Sequence, residues 1–339
     1  MGGRKIKELY VELSNHCMLE CLHCSTLASP QGNTLIDSSS IQKLLVEGKE
    51  LGADSLFLSG GEPLLYPKIM DLLEFAKKLE YKVSIYSSGV IDDGFGKRQA
   101  INYQYLEKLK CYTEKIIFSL HGANAHLHDY ITGKQSSFAL LLESLELAVN
   151  LGIYCEVHTV PMIINYQQIP FIIKLAEDLG VRRVSLLRLV PQGRCVAHKN
   201  KLLIENNRKQ VNEFVKIVEN LDSPILKVRK GAPYRCLFFE QAGVCSAGRD
   251  KLLIGPDGNV HPCEAFKSDR ATSNIKTKPL QEIWETDKRI NEIRALQPEE
   301  IEVCNRCVNL ARCRGGCPGQ RWVAHGRVDQ GPDPLACVV

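Results

Sequence analysis

The 339-residue chain has no apolar run approaching the roughly 18 residues that a bilayer-spanning helix needs. Its first residues, MGGRKIKELYVELS, lack the apolar stretch of a secretory signal. Blocks of like charge are missing too. The 43 Lys and Arg and 39 Asp and Glu are spread along the chain and leave a formal net charge of +4. These absences argue against a membrane protein, a secreted protein or a nucleic-acid binder. A cytoplasmic protein is expected, long enough for one large domain plus a smaller one. Cysteine, by contrast, is plentiful: there are 14. Disulfides are disfavoured in a reducing compartment, so closely spaced thiols there more often hold metal. Cys17, Cys21 and Cys24 stand together in VELSNHCMLECLHCS, with no fourth thiol nearby. Cys111, Cys155 and Cys195 are scattered singly and read as buried or unreactive thiols. The other eight lie between Cys236 and Cys337.

Between the two cysteine groups, strand-like and helix-like segments alternate. Short apolar runs predict strands over 6–13, 54–58, 82–86, 115–120, 153–160 and 182–190. Apolar residues at helical spacing predict helices over 38–51, 67–79, 102–110, 136–151 and 167–179. Serines open the first helix and Pro67 the second. Repeated β–α alternation implies a parallel sheet covered by helices. A closed eight-fold barrel takes ~250 residues. Six units ending near residue 190 predict a partial (β/α)6 TIM-like barrel, open unless later strands close it. The strands read as continuous apolar runs, as expected when both faces are buried.

In such a sheet the chemistry lies at the C-terminal ends of the strands. Cys17, Cys21 and Cys24 follow the first strand; Gly60, Gly61, Glu62 and Pro63 follow the second. Ser87, Ser88 and Gly89 follow the third, Ser119 and His121 the fourth, and His158 the fifth. Arg188, Gln192 and Arg194 follow the sixth. Three thiolates can hold three irons of a [4Fe–4S] cube and leave one iron free. A closed zinc site needs a fourth protein ligand, which His16 or His23 could supply.

The CxxxCxxC spacing after the first strand resembles the signature of the radical S-adenosylmethionine enzymes. The resemblance implies that the free iron binds S-adenosylmethionine. Reductive cleavage then gives a 5′-deoxyadenosyl radical that abstracts hydrogen from substrate. GGEP, Gly60–Pro63, resembles the family motif that contacts the methionine amino group. FSLHGANAHLHDYITGKQSSF resembles the fourth-strand region, where a serine, here Ser119, contacts the cofactor. Ser87 and Arg188 join these as implied cofactor contacts. Two departures stand out. His121 replaces a frequent aspartate, and Thr132 an arginine that pairs with the cofactor carboxylate; Lys134 is a candidate substitute. His121 and His158 are either substrate-facing or structural.

The C-terminal cysteines resemble the SPASM extension of that family. Cys245, Cys263, Cys304, Cys307, Cys313, Cys317 and Cys337 follow its order. The resemblance implies two auxiliary [4Fe–4S] clusters, hence three in all. Cys304, Cys307, Cys313 and Cys337 would hold one. Cys245, Cys263 and Cys317 would hold the other, with Cys236 as a candidate fourth ligand. The implied division is a barrel over 1–195, a helical linker over 196–235 and an auxiliary-cluster domain over 236–339. The resemblance also implies an external electron donor such as flavodoxin or ferredoxin. Expected chemistry is oxidative modification of a ribosomal peptide or protein, by crosslinking, decarboxylation or dehydrogenation. Radical modification of a tetrapyrrole or other small metabolite is the alternative, and a non-catalytic electron carrier a third reading. The first strand starts too early for a fused peptide-recognition domain, so a separate recognition protein is a possible partner. Glu264, next to a cluster cysteine, is the one candidate general base.

Overall fold

The computed structural model describes residues 4–230, 234, 237, 245–268 and 270–337. One sheet, parallel except at one edge, organises them. Its first six strands are β1 (Glu8–Glu12), β2 (Ser55–Ser59), β3 (Lys82–Ser87), β6 (Lys115–Ser119), β7 (Cys155–Thr159) and β8 (Arg183–Leu186). They pair in that order, all parallel. A hairpin of β4 (Val90–Asp92) and β5 (Arg98–Ala100) interrupts the chain after β3. Asp92 folds its tip by accepting from Gly94 N and Gly96 N, both at 2.8 Å.

Helices α1 (Ser38–Glu50), α2 (Ile69–Lys78), α3 (Tyr103–Lys110), α4 (Ala125–Thr132), α5 (Ser137–Asn150) and α6 (Ile169–Asp178) fill the crossovers. Short polar side chains start three of them. Asp37 accepts from Ser40 N at 2.8 Å, Asn102 from Tyr105 N at 2.9 Å and Asn124 from Leu127 N at 3.0 Å. Alternate strand residues, among them Leu9, Val11, Leu56, Leu58, Val83 and Ile85, join Ile41, Leu44, Leu72 and Leu73 in one buried core.

The other sheet face is not apolar. It carries Tyr10, Phe57, Tyr86, Lys115, Glu156, His158 and Arg183. The expectation of strands apolar on both faces therefore fails. Apolar residues face the helices, while an open barrel leaves a lumen lined by polar and aromatic groups.

Two regions differ from the expected organisation. The stretch expected as a helical linker holds α7 (Cys195–Leu202) and α8 (Arg208–Glu219), but also β9 (Lys227–Arg229). That strand extends the sheet beyond β8. At the opposite edge β10 (Lys251–Ile254) pairs parallel with β1, and β11 (Val260–His261) pairs antiparallel with β10. Among the described residues the sheet thus has nine strands, and β10 and β11 of the cysteine-rich segment are hydrogen-bonded into it. Trp284, fully buried, reinforces the join by donating its indole N–H to Arg4 O at 2.7 Å. Among the described residues no helix is long and apolar enough to cross a membrane.

Candidate iron–sulfur and cofactor site

The chain leaves β1 at Glu12 and enters the loop that carries Cys17, Cys21 and Cys24. Four elements hold this loop. From the β2 side, Gly61 N donates to Ser14 O at 2.6 Å and Glu62 N to His16 O at 2.8 Å. The approach is so close that a Cβ on Gly61 would overlap the His16 carbonyl. Gly60 has φ +117°, and its Cβ would lie 2.5 Å from Ser14 O. From α4, Thr132 O and Ile131 O accept from Glu20 N and Leu22 N at 2.9 and 2.8 Å. After β8, Arg194 forks onto Cys21 O and Ala28 O, both at 2.7 Å, and its N–H donates to Cys24 O at 2.9 Å. From beyond β11, Lys267 reaches Glu12 at 2.6 Å and the Thr26 and Ser25 hydroxyls at 3.0 and 3.2 Å.

The loop presents its thiols in shielded surroundings. Cys17 is buried; Cys21 and Cys24 are half-buried. Leu19 N–H points at Cys17 Sγ at 3.5 Å and Ala28 N–H at Cys24 Sγ at 3.4 Å. Burial, then the neighbouring Cys21 and Glu62, push the Cys17 thiol well above its ordinary range. Burial pushes Cys21 up to about 12. Such thiols ionise when a bound metal supplies positive charge. N–H groups aimed at sulfur are the contacts that tune iron–sulfur centres. Among the described residues no three His, Cys, Asp or Glu side chains converge on a single ion; a cubane spreads its thiolates over several irons. Donor chemistry and backbone contacts fit a cluster with three protein thiolates.

Glu62 is a clamp rather than an open ligand. It is fully buried and accepts from Ser87 Oγ at 2.9 Å, Ser88 N at 2.8 Å, Ser88 Oγ at 2.6 Å and Leu64 N at 3.3 Å. Burial raises its carboxyl above the ordinary range despite these donors. Ser87, expected at the cofactor, spends its hydroxyl proton on Glu62 and accepts from Gly89 N at 3.0 Å. Pro63 is buried behind it, in a single 3₁₀ turn. Together they lock the β2 and β3 ends beneath the cysteine loop.

Three histidines gather beside the loop. His23 meets His121 edge-to-face at 4.3 Å, and His121 stacks on His128 at 6.2 Å. Burial lowers all three, with His23 and His128 at about 4. His121 accepts from Val160 N at 3.4 Å and holds Asn165 through its carbonyl at 2.9 Å. Thr132 is buried against Ser137 Oγ at 2.6 Å, and Lys134 pairs with Glu20 of the cysteine loop.

His158 differs from these. It faces the lumen beside Tyr86, with ring centroids 5.3 Å apart; like that of His23, its buried Nδ1 has no hydrogen-bond partner among the described residues. On its other side stands Glu156, which Lys115 and Arg183 hold at 2.9 and 3.1 Å. Ser119 and Ser185 flank His158 in register on β6 and β8. Ser119, His158 and Ser185 thus form one row of polar groups across three strands.

The C-terminal thiols gather in two sets. Burial, then Glu264 and the neighbouring Cys245 and Cys317, push the Cys263 thiol well above its ordinary range, and burial followed by Cys245 pushes the Cys317 thiol up to about 11. Cys263 Sγ lies 3.6 Å from where a Cβ on Gly319 would stand, two residues after Cys317. Burial, with Cys313 and Cys307 beside it, pushes the Cys304 thiol up, and burial, with Cys304, Asp333 and Cys313 beside it, pushes the Cys337 thiol up to about 11. Cys236, the candidate fourth ligand of the first set, lies outside the described residues. Of the scattered thiols, Cys155 and Cys195 are buried, but Cys111 is exposed. It sits at the end of α3, on a surface turn that its helix cannot cover.

Glu264 fits poorly as a general base. Burial pushes it up, yet Lys251, its own backbone and Lys267 hold its carboxyl below the ordinary range. Arg188, expected at the cofactor, lies past the end of β8 and makes a 2.7 Å ion pair with the buried Asp333. The grips of Arg194, Lys267 and Asp333 have no local motif. Only the glycine–arginine pair in RLVPQGR and the turn residues of GPDPL mark their places.

Comparison with known proteins converges on the same architecture. Residues 11–176 match the family model of the radical SAM superfamily, and residues 245–308 that of an iron–sulfur cluster-binding domain. The antilisterial bacteriocin subtilosin biosynthesis protein AlbA of Bacillus subtilis is 25% identical over 90% of this chain; the chain spans 66% of its length. The AdoMet-dependent heme synthase of Methanosarcina barkeri is 24% identical over 93% of this chain and 92% of its own. Streptococcus suis SuiB, solved with S-adenosylmethionine, superposes with a TM-score of 0.75 at 20% identity, over 98% of this chain and 77% of SuiB. SuiB has also been solved with its precursor peptide SuiA.

Proposed function

Because the chain belongs to the radical S-adenosylmethionine superfamily and carries a C-terminal iron–sulfur cluster-binding domain, we propose that it oxidatively modifies a ribosomally made peptide or protein. Iron–sulfur clusters and S-adenosylmethionine are its cofactors. When bound at the loop thiols, they supply the 5′-deoxyadenosyl radical that takes hydrogen from substrate. In this reading Cys17, Cys21 and Cys24 hold that cluster. Gly60, Gly61 and Glu62 seat the loop, Pro63 and Ser87 fix the seat, and Ser119 faces the cofactor from β6. Cys304, Cys307, Cys313 and Cys337 hold one auxiliary cluster; Cys245, Cys263, Cys317 and Cys236 hold the other, making three [4Fe–4S] centres. The barrel unit is 1–195, the connector 196–235 and the auxiliary domain 236–339.

One observation carries the proposal. β1 leads into the loop thiols, while its hydrogen-bonded neighbour β10 starts just after Cys245 and returns through β11 to Cys263. Lys251, the first residue of β10, stands over the Tyr10 ring of the lumen face at 4.7 Å, which supports a reading in which Cys245 and Cys263 approach the lumen from the strand end opposite the loop thiols. Clusters placed so suit a reaction in which hydrogen abstraction is followed by removal of an electron. Peptide chemistry is supported by the likeness to the subtilosin biosynthesis protein and by the fold shared with SuiB. An external low-potential donor such as flavodoxin or ferredoxin, a separate peptide-recognition protein and a cytoplasmic location complete the proposal. Modification of a tetrapyrrole or other small metabolite is the second reading. The near full-length match to the heme synthase favours it.

The deciding experiment is anaerobic incubation of reconstituted protein with reductant, S-adenosylmethionine and each short peptide that an open reading frame near its gene encodes. One of these peptides is expected to lose a pair of hydrogens, or carbon dioxide, in its mass spectrum. Unchanged peptides, with 5′-deoxyadenosine formed only when a tetrapyrrole is added, would favour the second reading.

A further inference from the structure

His158 is a lumen histidine with one ring nitrogen engaged and the other free. It is 8% exposed. Its Nε2 stands 3.8 Å from Glu156 Oε2. Burial works against ionisation of Glu156, but His158, Lys115 and Arg183 hold its carboxyl well below the ordinary range. The ring nitrogen that faces this carboxylate therefore carries the proton. Nδ1 is left with a bare lone pair, buried and without a partner among the described residues. A buried acceptor left unpaired is costly, so a site that keeps one normally receives a donor.

The surroundings point to a donor brought by substrate. Ser185, the β8 partner of His158 in register, is 1% exposed, and its Oγ also lacks a partner among the described residues. Two polar groups side by side on the lumen face are thus left for an occupant. Their row includes Ser119, the last residue of β6, so it lies near the strand end from which the cysteine loop leaves β1. Besides Glu156, the groups around the ring are Tyr86 from β3, Lys115 from β6, His121 after β6, Arg183 from β8 and Arg229 from β9. Burial lowers His158, Glu156 raises it, and Lys115 and Arg229 lower it again; the outcome is below the ordinary histidine range. The ring is therefore neutral at neutral pH and able to accept a proton.

We propose that His158, through Nδ1, is the base that takes the proton a substrate loses as it is oxidised in the lumen. This rests on the oxidative reading above and applies to its crosslinking and dehydrogenating forms. The substrate gives one hydrogen atom to the 5′-deoxyadenosyl radical, which becomes 5′-deoxyadenosine. It then gives one electron to an oxidised iron–sulfur centre and one proton to His158. A carbon–carbon double bond forms, or a bond from carbon to the nucleophile that released the proton. Two electrons and two protons have then left the substrate. Glu156 is the positioning residue: it fixes the tautomer that leaves Nδ1 bare. His158 fills the role that Glu264 fits poorly.

The test is anaerobic turnover of reconstituted full-length protein with the short peptides named above, at several pH values. Modified peptide and 5′-deoxyadenosine are counted separately in wild type, His158→Gln and His158→Ala. Peptide modified per 5′-deoxyadenosine is expected to fall about 100-fold in His158→Gln, the loss of a general base. In wild type the same ratio falls as the pH drops below the ordinary histidine range, because a protonated ring accepts nothing. That acid limb is absent from His158→Gln, and added imidazole restores product to His158→Ala. Without substrate, nitrogen NMR of histidine-labelled protein should show the ring missing from His158→Gln as neutral and protonated on Nε2. A ring protonated on Nδ1 would overturn the inference. So would an unchanged ratio in His158→Gln, whether product persists or is lost in step with 5′-deoxyadenosine. A wild-type ratio with no acid limb would overturn it too, and that result needs no variant to fold. Wild type that forms 5′-deoxyadenosine and modifies no peptide would overturn the peptide reading and this inference together.

Discussion

Replacing Cys17, Cys21 and Cys24 together by alanine is expected to remove about four irons per chain and abolish formation of 5′-deoxyadenosine. The physical reason lies in how completely the loop commits these thiols. Two carry backbone N–H groups aimed at sulfur. Arg194, Lys267, Gly61 and the end of α4 hold the loop from outside, by contacts that do not involve sulfur. The triple variant should therefore keep its fold while losing its donors. Iron on the C-terminal thiols should remain, because they lie in a separate segment. Chromatography of the reduced reaction mixture checks the result. A triple variant that still makes 5′-deoxyadenosine would mean that the cleaving cluster sits elsewhere.

Gly61→Ala is expected to empty the same site without touching a ligand. The added carbon would overlap the His16 carbonyl, which is backbone and has no flexible end to swing away. Either GGEP or the loop must shift. The shift breaks the bonds from Gly61 N and Glu62 N, each worth about 1 kcal/mol, and adds an overpacking cost of about 1–3 kcal/mol. The variant should lose most of the iron of the first site and nearly all cleavage of S-adenosylmethionine, yet keep its C-terminal iron. Gly94→Ala makes the control. It sits at the hairpin tip with open space around the new carbon, and only its φ of +90° counts against it. Equal iron in Gly61→Ala and wild type would show that close packing of GGEP on the loop is dispensable.

Much of this site could be read from the sequence because its signals are local. The cysteine spacing, the GGEP turn and the six apolar runs each occupy a few neighbouring residues, and all six runs appear as strands within a few positions. The last expected strand, 182–190, stops at Leu186, and Leu187 N makes the final bond to β7, at Thr159 O. What could not be read depends on distant partners. β10 is a four-residue strand whose place is fixed by pairing with β1, more than 240 residues earlier in the chain. β9 is three residues long and carries no apolar run. Lys267 meets Glu12 across a separation of 255 residues, and Arg188 meets Asp333 across 145. α4 lies within the fourth-strand motif, and its only local marks are the Asn124 cap and the Gly133 stop. The polar lumen was hidden for a related reason. Tyr10, Phe57 and His158 look apolar or neutral in a strand, and only the sheet shows that they share a face.

The central claim is that this chain carries iron–sulfur centres at both cysteine groups, and metal analysis of anaerobically reconstituted wild-type protein tests it most directly. The account predicts a brown protein with roughly twelve irons per chain and negligible zinc. Stoichiometric zinc with little iron, after the same reconstitution, would contradict it.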